Sequence, residues 1–401
     1  MMRRTPLFTV VVLSAAAIAC GFSGEGTFEG SPASDGGTDA LAPRAPGSDG
    51  SASDAPADAP PSFTPSHVPP GVTFDDTAAD VSGSLAIDTS TPAIKPPLPA
   101  GARLEKLGNV VVLFVGAWTV NGPVAIRGDL PLVVLAARAV TVSAGIDAGA
   151  QQIGRGPGGF ASLDGPGKGG NGAQAGTIDT GGGGASFGGL GANGGSAGAL
   201  AGGTAGVVYG DTFAEFFGGS GGGQGSPPCT GFGRGGAGGG ALQISSRVAI
   251  TVASAAWINA GGGGGEGGCK AISGQAQAGG GGGSGGTLVL EAPDLAIVGA
   301  LAANGGGGGA GGSGVGALFD GAPGTNAGAG LPAIAPAAGG TTPADGLGGA
   351  GATNGSAAVT PPTVVNNQGG GGGGVGRIWL RTFGNAPVVT GAISPTPRSP
   401  P

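Results

Sequence analysis

The sequence predicts an all-β fold: a short, irregular parallel β-helix (a solenoid) that long glycine-rich insertions leave and rejoin. Two observations support this. Of 401 residues 99 are glycine, and four apolar segments between the glycine runs repeat one spacing of alternating residues, which is a strand pattern. Such a unit cannot bury its apolar face alone, so neighbouring units must stack on it. The expected parts are a signal peptide, a disordered tether, the solenoid and a disordered tail: 1–19, 20–75, 76–394 and 395–401.

Composition excludes several classes of protein. Collagen needs glycine at every third position, whereas these glycines stand in solid runs such as Gly279 to Gly283. The single histidine, His67, lies outside the repeats, so Ser-His-Asp hydrolysis is excluded for them. In the repeat region the basic residues Arg155, Lys168, Arg234 and Lys270 are isolated from one another, so no nucleic-acid partner is expected.

The N-terminus predicts export. A basic head with Arg3 and Arg4 precedes an apolar run from Leu7 to Ala19, which is too short to span a bilayer of about 30 Å and is typical of a signal peptide. The tetrad that ends at Cys20, Ala-Ile-Ala-Cys, resembles a bacterial lipoprotein box. That resemblance implies lipidation of Cys20, a membrane as partner, and an outer-membrane or cell-surface location. The alternative is ordinary secretion with Cys20 incidental.

Residues 20–75 are predicted to be a tether. Small residues, proline and acids dominate this segment, which leaves too little apolar surface to offset the entropy of ordering it. The spacer would hold a domain away from a membrane. We interpret His67 as an incidental linker residue rather than a ligand.

The repeat consists of short strands separated by polar corners. Its insertions are expected at 150–239, 261–285 and 305–375. The four copies are Leu132, Val134, Val140, Val142 and Ile146; Leu242, Ile244, Ile250, Val252 and Ile258; Leu288, Leu290, Leu295, Ile297 and Leu301; and Ile378, Leu380, Val388 and Ile393.

The sequence leaves two alternatives for the structure of the insertions. Ordering each residue costs about 1–2 kcal/mol, which so few buried side chains cannot offset. The insertions therefore either stay mobile or are held by dense backbone hydrogen bonds, as in polyglycine II helices with three residues per turn. In composition they resemble the glycine-rich domains of certain phage adhesins, receptor ectodomains and a springtail antifreeze protein.

Cys229 and Cys269 are the remaining cysteines. An even count in an oxidising compartment predicts one disulfide between them, with two free thiols as the alternative. Two cysteines without a nearby histidine cannot complete a zinc site. A dinucleotide-type match at Gly154 to Gly159 is expected by chance at this glycine frequency, so neither a metal nor a cofactor is predicted.

One aromatic cluster and a set of scattered acids are the candidate contact residues. The aromatic residues are Tyr209, Phe213, Phe216 and Phe217. They would either contact a ligand or form a small core that pins the insertion to the strands. We interpret Glu291 and Asp294, the closest pair of acids, as a solvated corner. The candidate acids are Asp129, Asp147, Asp164, Asp179, Asp211, Glu215, Glu266, Glu291, Asp294 and Asp320.

In composition and repeat layout, residues 130 to 394 resemble glycine-rich bacterial surface proteins of the PE-PGRS-like class. The N-terminal PE domain of the mycobacterial members is not found in this sequence. The leading hypothesis is a non-enzymatic, lipid-anchored surface protein with a structural, adhesin-like or display role, whose partners would be surface polysaccharide or other envelope proteins. The alternatives are a β-helix enzyme or lectin that acts on surface polysaccharide, and ice or mineral binding by a face of glycine helices.

Overall fold

The computed structural model describes residues 63–226, 232–270, 276–313, 319–328, 335–342, 346–364 and 366–400. The predicted signal peptide (1–19), Cys20, most of the predicted tether and Cys229 lie outside these described residues. Within the described ranges, regular secondary structure consists of strands alone, without a helix.

The strands are short, with two to six residues each. In chain order they are β1 (Val81–Ser82), β2 (Leu85–Asp88), β3 (Ala93–Lys95), β4 (Arg103–Leu107), β5 (Val110–Val115), β6 (Trp118–Val120), β7 (Val124–Arg127), β8 (Leu132–Ala136), β9 (Val140–Val142), β10 (Gly145–Asp147), β11 (Gln174–Ala175), β12 (Ile178–Asp179), β13 (Ala241–Ser246), β14 (Ala249–Val252), β15 (Trp257–Asn259), β16 (Thr287–Ala292), β17 (Asp294–Ile297), β18 (Ala300–Ala302), β19 (Arg377–Thr382), β20 (Val388–Val389) and β21 (Ile393–Ser394).

These strands form three large sheets and one hairpin. Sheet I has the order β1-β6-β9-β14-β17-β20, and all its neighbours are parallel. Sheet II (β21-β18-β15-β10-β7-β2-β3) and sheet III (β19-β16-β13-β8-β5-β4) are mixed, because β2 with β3 and β4 with β5 pair antiparallel. Strands β11 and β12 form a separate antiparallel pair.

Equivalent apolar positions of the sequence repeat lie side by side in sheet III. Leu132 pairs with Leu242, Leu242 with Leu288, and Leu288 with Ile378. Alternate residues of these strands point to opposite faces, and the inward set joins side chains from sheets I and II in one buried apolar cluster. Burial of this cluster is the main hydrophobic contribution to folding.

The predicted fold class is wrong. The sequence predicts a short parallel β-helix with glycine-rich insertions, and polyglycine II helices are one of the two predicted states of these insertions. The strands lie in three open sheets, two of them mixed, and in a separate hairpin, which do not make a closed solenoid. The physical reason is the path of the chain between repeats. After β10, β15 and β18 it leaves the sheets for a long glycine-rich segment before it returns in β13, β16 and β19.

Backbone hydrogen bonds hold the described parts of the glycine-rich segments together. The amides of Gly181, Gly182 and Gly183 donate to carbonyls of three different segments, those of Gly195, Gly279 and Gly170. The next three amides return to the same three segments in the same order. Segment 181–186 is therefore bonded to neighbours on three sides with a period of three residues. We call this assembly the glycine block.

The sheets and the glycine block are continuous in hydrogen bonding. Just past the end of β15, the amide of Ala260 donates to the carbonyl of Ala302, while Gly286, just before β16, donates to the carbonyl of Ala260. The ladder between strands thus extends into the insertions without a break, so the two parts support each other.

The prediction of a disordered tail at 395–401 is also wrong for residues 395–400. The amide of Arg398 donates to the carbonyl of Ile378, and Leu380 donates back to the carbonyl of Arg398. The tail thereby covers the open edge of β19, which would otherwise leave unpaired amides and carbonyls.

Close approach of backbones is what requires glycine in the block. A Cβ added to Gly283 would overlap the carbonyl oxygen of Ala237, which belongs to the backbone and cannot rotate away. Gly355 is different, because a Cβ there meets nothing within 4 Å.

We predict that Gly283→Ala lowers the free energy of unfolding by about 3 kcal/mol, the upper range for overpacking, because a backbone segment must shift. The matched change Gly355→Ala should leave it within about 1 kcal/mol, with a gain expected from the less flexible unfolded chain. Urea denaturation of both variants measures the difference. Equal stability of the two variants would contradict the close packing of the block.

Candidate functional site

The predicted aromatic contact residues pack on the protein itself. The Tyr209 ring lies 4.8 Å from that of Phe187 between centroids, and its hydroxyl accepts a hydrogen bond from Ser220 Oγ (2.8 Å). Burial raises the pKa of Tyr209 above its usual value. Phe213 meets Trp379 edge to face at 5.4 Å. Of the two interpretations, these contacts describe a core that pins the insertion to the strands.

Phe216 and Phe217 complete this cluster. Both rings are half-buried. Phe217 lies 6.4 Å from Tyr209, and Phe216 stacks on His67 with centroids 4.7 Å apart. The four aromatic residues therefore join the first insertion to the N-terminal segment that carries His67, which the sequence analysis assigns to the tether.

Four of the candidate acids pair with a cation or an amide rather than with one another. Asp129 contacts Arg155, Asp147 contacts Arg127, and Asp211 contacts Arg398. Asp294 accepts a hydrogen bond from Asn385 Nδ2 at 3.0 Å. A surface groove between β2, β3 and β7 is lined by one carboxylate, Asp88, beside Lys95 and Arg127. None of these places brings two carboxylates together for acid/base work.

Cysteine and acidic side chains are the usual protein ligands of metal ions, together with histidine. Cys269 is disulfide-bonded, and its predicted partner Cys229 lies outside the described residues. In the part of the chain that the structure describes, no three side chains of His, Cys, Asp or Glu lie close enough to hold a metal ion.

Residues 63–74, which we call the strap, are ordered, although composition placed them in the tether. The strap lies on the outward face of sheet III, where Phe63, Val68, Val72 and Phe74 pack on an apolar cluster. The apolar side chains of β5 and β8 and the residue after β8 form this cluster: Val110, Val112, Phe114, Val133, Leu135 and Ala137. The predicted boundary at residue 75 is wrong for this segment because its four large apolar side chains find a surface to cover.

The strap's path follows from its prolines and glycine. Pro69 and Val72 close a turn, with the Val72 amide 3.1 Å from the Pro69 carbonyl oxygen. Pro70 suits the second position of a type II turn, and Gly71 supplies the positive φ, 85°, that its third position requires. The turn directs Val72 and Phe74 back onto the sheet.

A buried polar network lies beneath the strap. The register of sheet III places Gln243 beside Val133, and Ser245 beside Glu291, so the outward face changes from apolar to polar along the sheet. Glu291 is fully buried. Its carboxylate accepts hydrogen bonds from the Ser66 amide (3.1 Å), Ser66 Oγ (2.5 Å), Gln243 Nε2 (3.0 Å) and Ser245 Oγ (2.8 Å).

Arg381 and His67 complete the site. Arg381, which pairs with Glu291 in register, places Nη1 3.2 Å from Glu291 Oε1 and 3.0 Å from Ser66 Oγ. His67 places Nδ1 2.6 Å from Gln243 Oε1 and Nε2 2.5 Å from the carbonyl oxygen of Phe213. We call Ser66, His67, Gln243, Ser245, Glu291 and Arg381 the clamp.

Sequence reasoning missed the clamp in two places. His67 was interpreted as an incidental linker residue, yet both its ring nitrogens are engaged. Glu291 was interpreted with Asp294 as a solvated corner, but only Asp294 is exposed. The available signal was the set of large apolar residues around His67, such as Phe63 and Phe74, in a segment otherwise built of small residues.

Asp179 is a second unusual acid. Its side chain is fully buried, and neither carboxylate oxygen has a hydrogen-bond partner. Burial raises the pKa of Asp179 from 3.8 to about 7, since low-dielectric surroundings disfavour the charged form.

No family model matches the chain, and no curated protein or solved structure matches it significantly. None of the described segments forms a helix of the length and apolarity needed to cross a membrane. The function has to be inferred from the chain's own residues.

We predict that Glu291→Ala lowers the free energy of unfolding by about 3 kcal/mol, because Arg381 loses its partner and Ser66, Gln243 and Ser245 lose their acceptor. This is the low end for a broken buried ion pair, chosen because a third of the Arg381 side chain is exposed. Asp294→Asn, on the same corner, should change stability by less than about 0.5 kcal/mol. Urea denaturation measures the stability of both variants, and proteolysis detects a freed strap. A loss of stability in Glu291→Ala that is no larger than the loss in Asp294→Asn would refute the clamp.

We predict that Asp179→Asn stabilises the protein more at pH 8 than at pH 4. The pKa of Asp179 is raised in the folded chain to about 7, so the folded state holds its proton more tightly than the unfolded state does. The stability from this group is complete below about pH 4 and is lost as the pH rises to about 7. The gain in the free energy of unfolding from Asp179→Asn should be about 2–4 kcal/mol larger at pH 8 than at pH 4. Urea midpoints that the substitution shifts equally at pH 4 and pH 8 would contradict this prediction.

Proposed function

We propose that this protein is a non-enzymatic, lipid-anchored surface protein that displays a rigid body at the end of a tether. The observation that carries the proposal is the position of the clamp, where the predicted tether reaches the folded body. Terminal segments usually fray unless specific contacts tie them down. Here a fully buried carboxylate, Glu291, binds the strap through both the amide and the hydroxyl of Ser66.

The glycine block supports a structural or display role. Its segments bond to one another through the backbone, so the body keeps its shape without large side chains. Insertions fixed in this way present a firm surface to surface polysaccharide or other envelope proteins, the partners that the sequence implies.

The acids support a non-enzymatic role over hydrolysis of polysaccharide. Glycosidases of the usual kind need two carboxylates about 5–10 Å apart that flank one bond. Asp129 and Asp147 each contact an arginine, and Glu291 is buried beneath the strap. The pairing of Asp129 and Asp147 with arginines and the burial of Glu291 favour a non-enzymatic role.

Replacing Cys20 tests the anchor. In cells that produce the Cys20→Ser variant, we expect the protein to leave the membrane fraction and labelled fatty acid to be absent from it. Ser23→Ala, a neighbouring change that spares the lipidation residue, should leave both readouts unchanged. Unchanged membrane association and labelling of Cys20→Ser would refute the lipid anchor.

A further inference from the structure

Both ring nitrogens of His67 face oxygen atoms at short range. Nε2 lies 2.5 Å from the backbone carbonyl oxygen of Phe213, which can only accept a hydrogen bond. Nδ1 lies 2.6 Å from Gln243 Oε1. The protonation state of His67 therefore depends on which way the Gln243 amide points.

The surroundings of Gln243 fix that orientation. Its Nε2 donates toward the carbonyl oxygen of Ser66 (2.7 Å), Ser245 Oγ (2.9 Å) and Glu291 Oε2 (3.0 Å). Rotating the amide by half a turn would place its oxygen against a carbonyl and a buried carboxylate. The amide nitrogen thus belongs on the Glu291 side, and the amide oxygen faces His67.

We propose that His67 is a doubly protonated imidazolium in the docked strap and that docking therefore takes up a proton. A neutral imidazole has one N–H and one lone pair, so one of the two contacts would set a lone pair against an oxygen lone pair. The strap should consequently hold more firmly as the pH falls through the range in which histidine changes charge. This inference does not depend on the proposed function.

The charges around His67 fit a cation. From β13 it meets only the neutral Gln243, which connects it to the buried carboxylate of Glu291 on β16. Arg381 on β19 is held by Glu291 and Ser66. The insertion contributes the Phe213 carbonyl and the stacked ring of Phe216, and the exposed acid Glu215 lies between these two residues in the sequence.

Proton uptake at this point would regulate access to an apolar surface. The strap covers Val112, Val133 and Leu135 of sheet III, and it connects this sheet to the chain that precedes residue 63. Loss of the proton would weaken the clamp next to Ser66, so the strap would loosen from that end.

Nitrogen NMR tests the protonation state directly, because His67 is the only histidine in the protein. The full chain from residue 20, with Cys20→Ser to prevent lipidation, is labelled with ¹⁵N-histidine at pH 7.5, where an ordinary histidine is roughly one-tenth protonated. We expect a one-bond N–H coupling on both ring nitrogens, with a nuclear Overhauser effect between His67 and Phe216 as proof of docking. A docked ring with a single protonated nitrogen would overturn the proposal.

Hydrogen exchange tests the coupling to docking. The Ser66 amide donates to Glu291, so its protection relative to the free strap peptide reports the docked fraction. The experiment uses an Asp179→Asn background, because Asp179 is expected to titrate in the same pH range. Protection of the Ser66 amide should fall between pH 6 and pH 8, by at most about tenfold per pH unit. His67→Gln should show weaker protection that stays flat over this range; a parallel fall in both chains would overturn the coupling.

Discussion

The structure depends on the approach of backbone to backbone in the glycine block. A segment such as 181–186 donates its amides to three neighbouring segments in turn, and at Gly283 an added Cβ would overlap a carbonyl oxygen. Hydrogen bonds at this spacing replace the side-chain packing that holds an ordinary core. Small residues are tolerated where a side chain has room, as at Ala185 and Ala237, which are fully buried. The high glycine content is therefore a packing requirement.

The sheets and the block need each other. The strands have only two to six residues, so each one contributes few ladder hydrogen bonds of its own. Here the ladder continues from β15 and β16 through Ala260 and Gly286 into the block. The block in turn contains few large side chains, so the apolar cluster between the sheets provides most of the hydrophobic stabilisation.

The sequence predicted which residues lie side by side but not how the sheets close. Leu132, Leu242 and Leu288 pair as their spacing suggests, because side-chain alternation decides the buried face of a strand. Closure depends on where each insertion leads the chain, and glycine runs carry no side-chain pattern from which to infer that path. The parallel β-helix was wrong for this reason.

The candidate site was harder to predict because it is assembled across long separations. Ser66 and Glu291 are 225 residues apart, and nothing local to Glu291 distinguishes it from Asp294, its exposed neighbour. Only the strap makes the difference, since it removes one face of sheet III from water. The large apolar residues of the strap indicated an ordered segment, but not the surface that it covers.

Charge is concentrated where the strap meets the sheet. The backbone contacts of the glycine block involve neutral groups that do not titrate, and Asp179 is an isolated acid at the end of its hairpin. The clamp, in contrast, gathers Glu291 and Arg381 beneath one short segment that carries His67. Loss of a proton between His67 and Gln243 would set two lone pairs against each other, which weakens that contact. The pH dependence that we propose for the strap thus arises in the clamp, and that of Asp179 arises separately in the body.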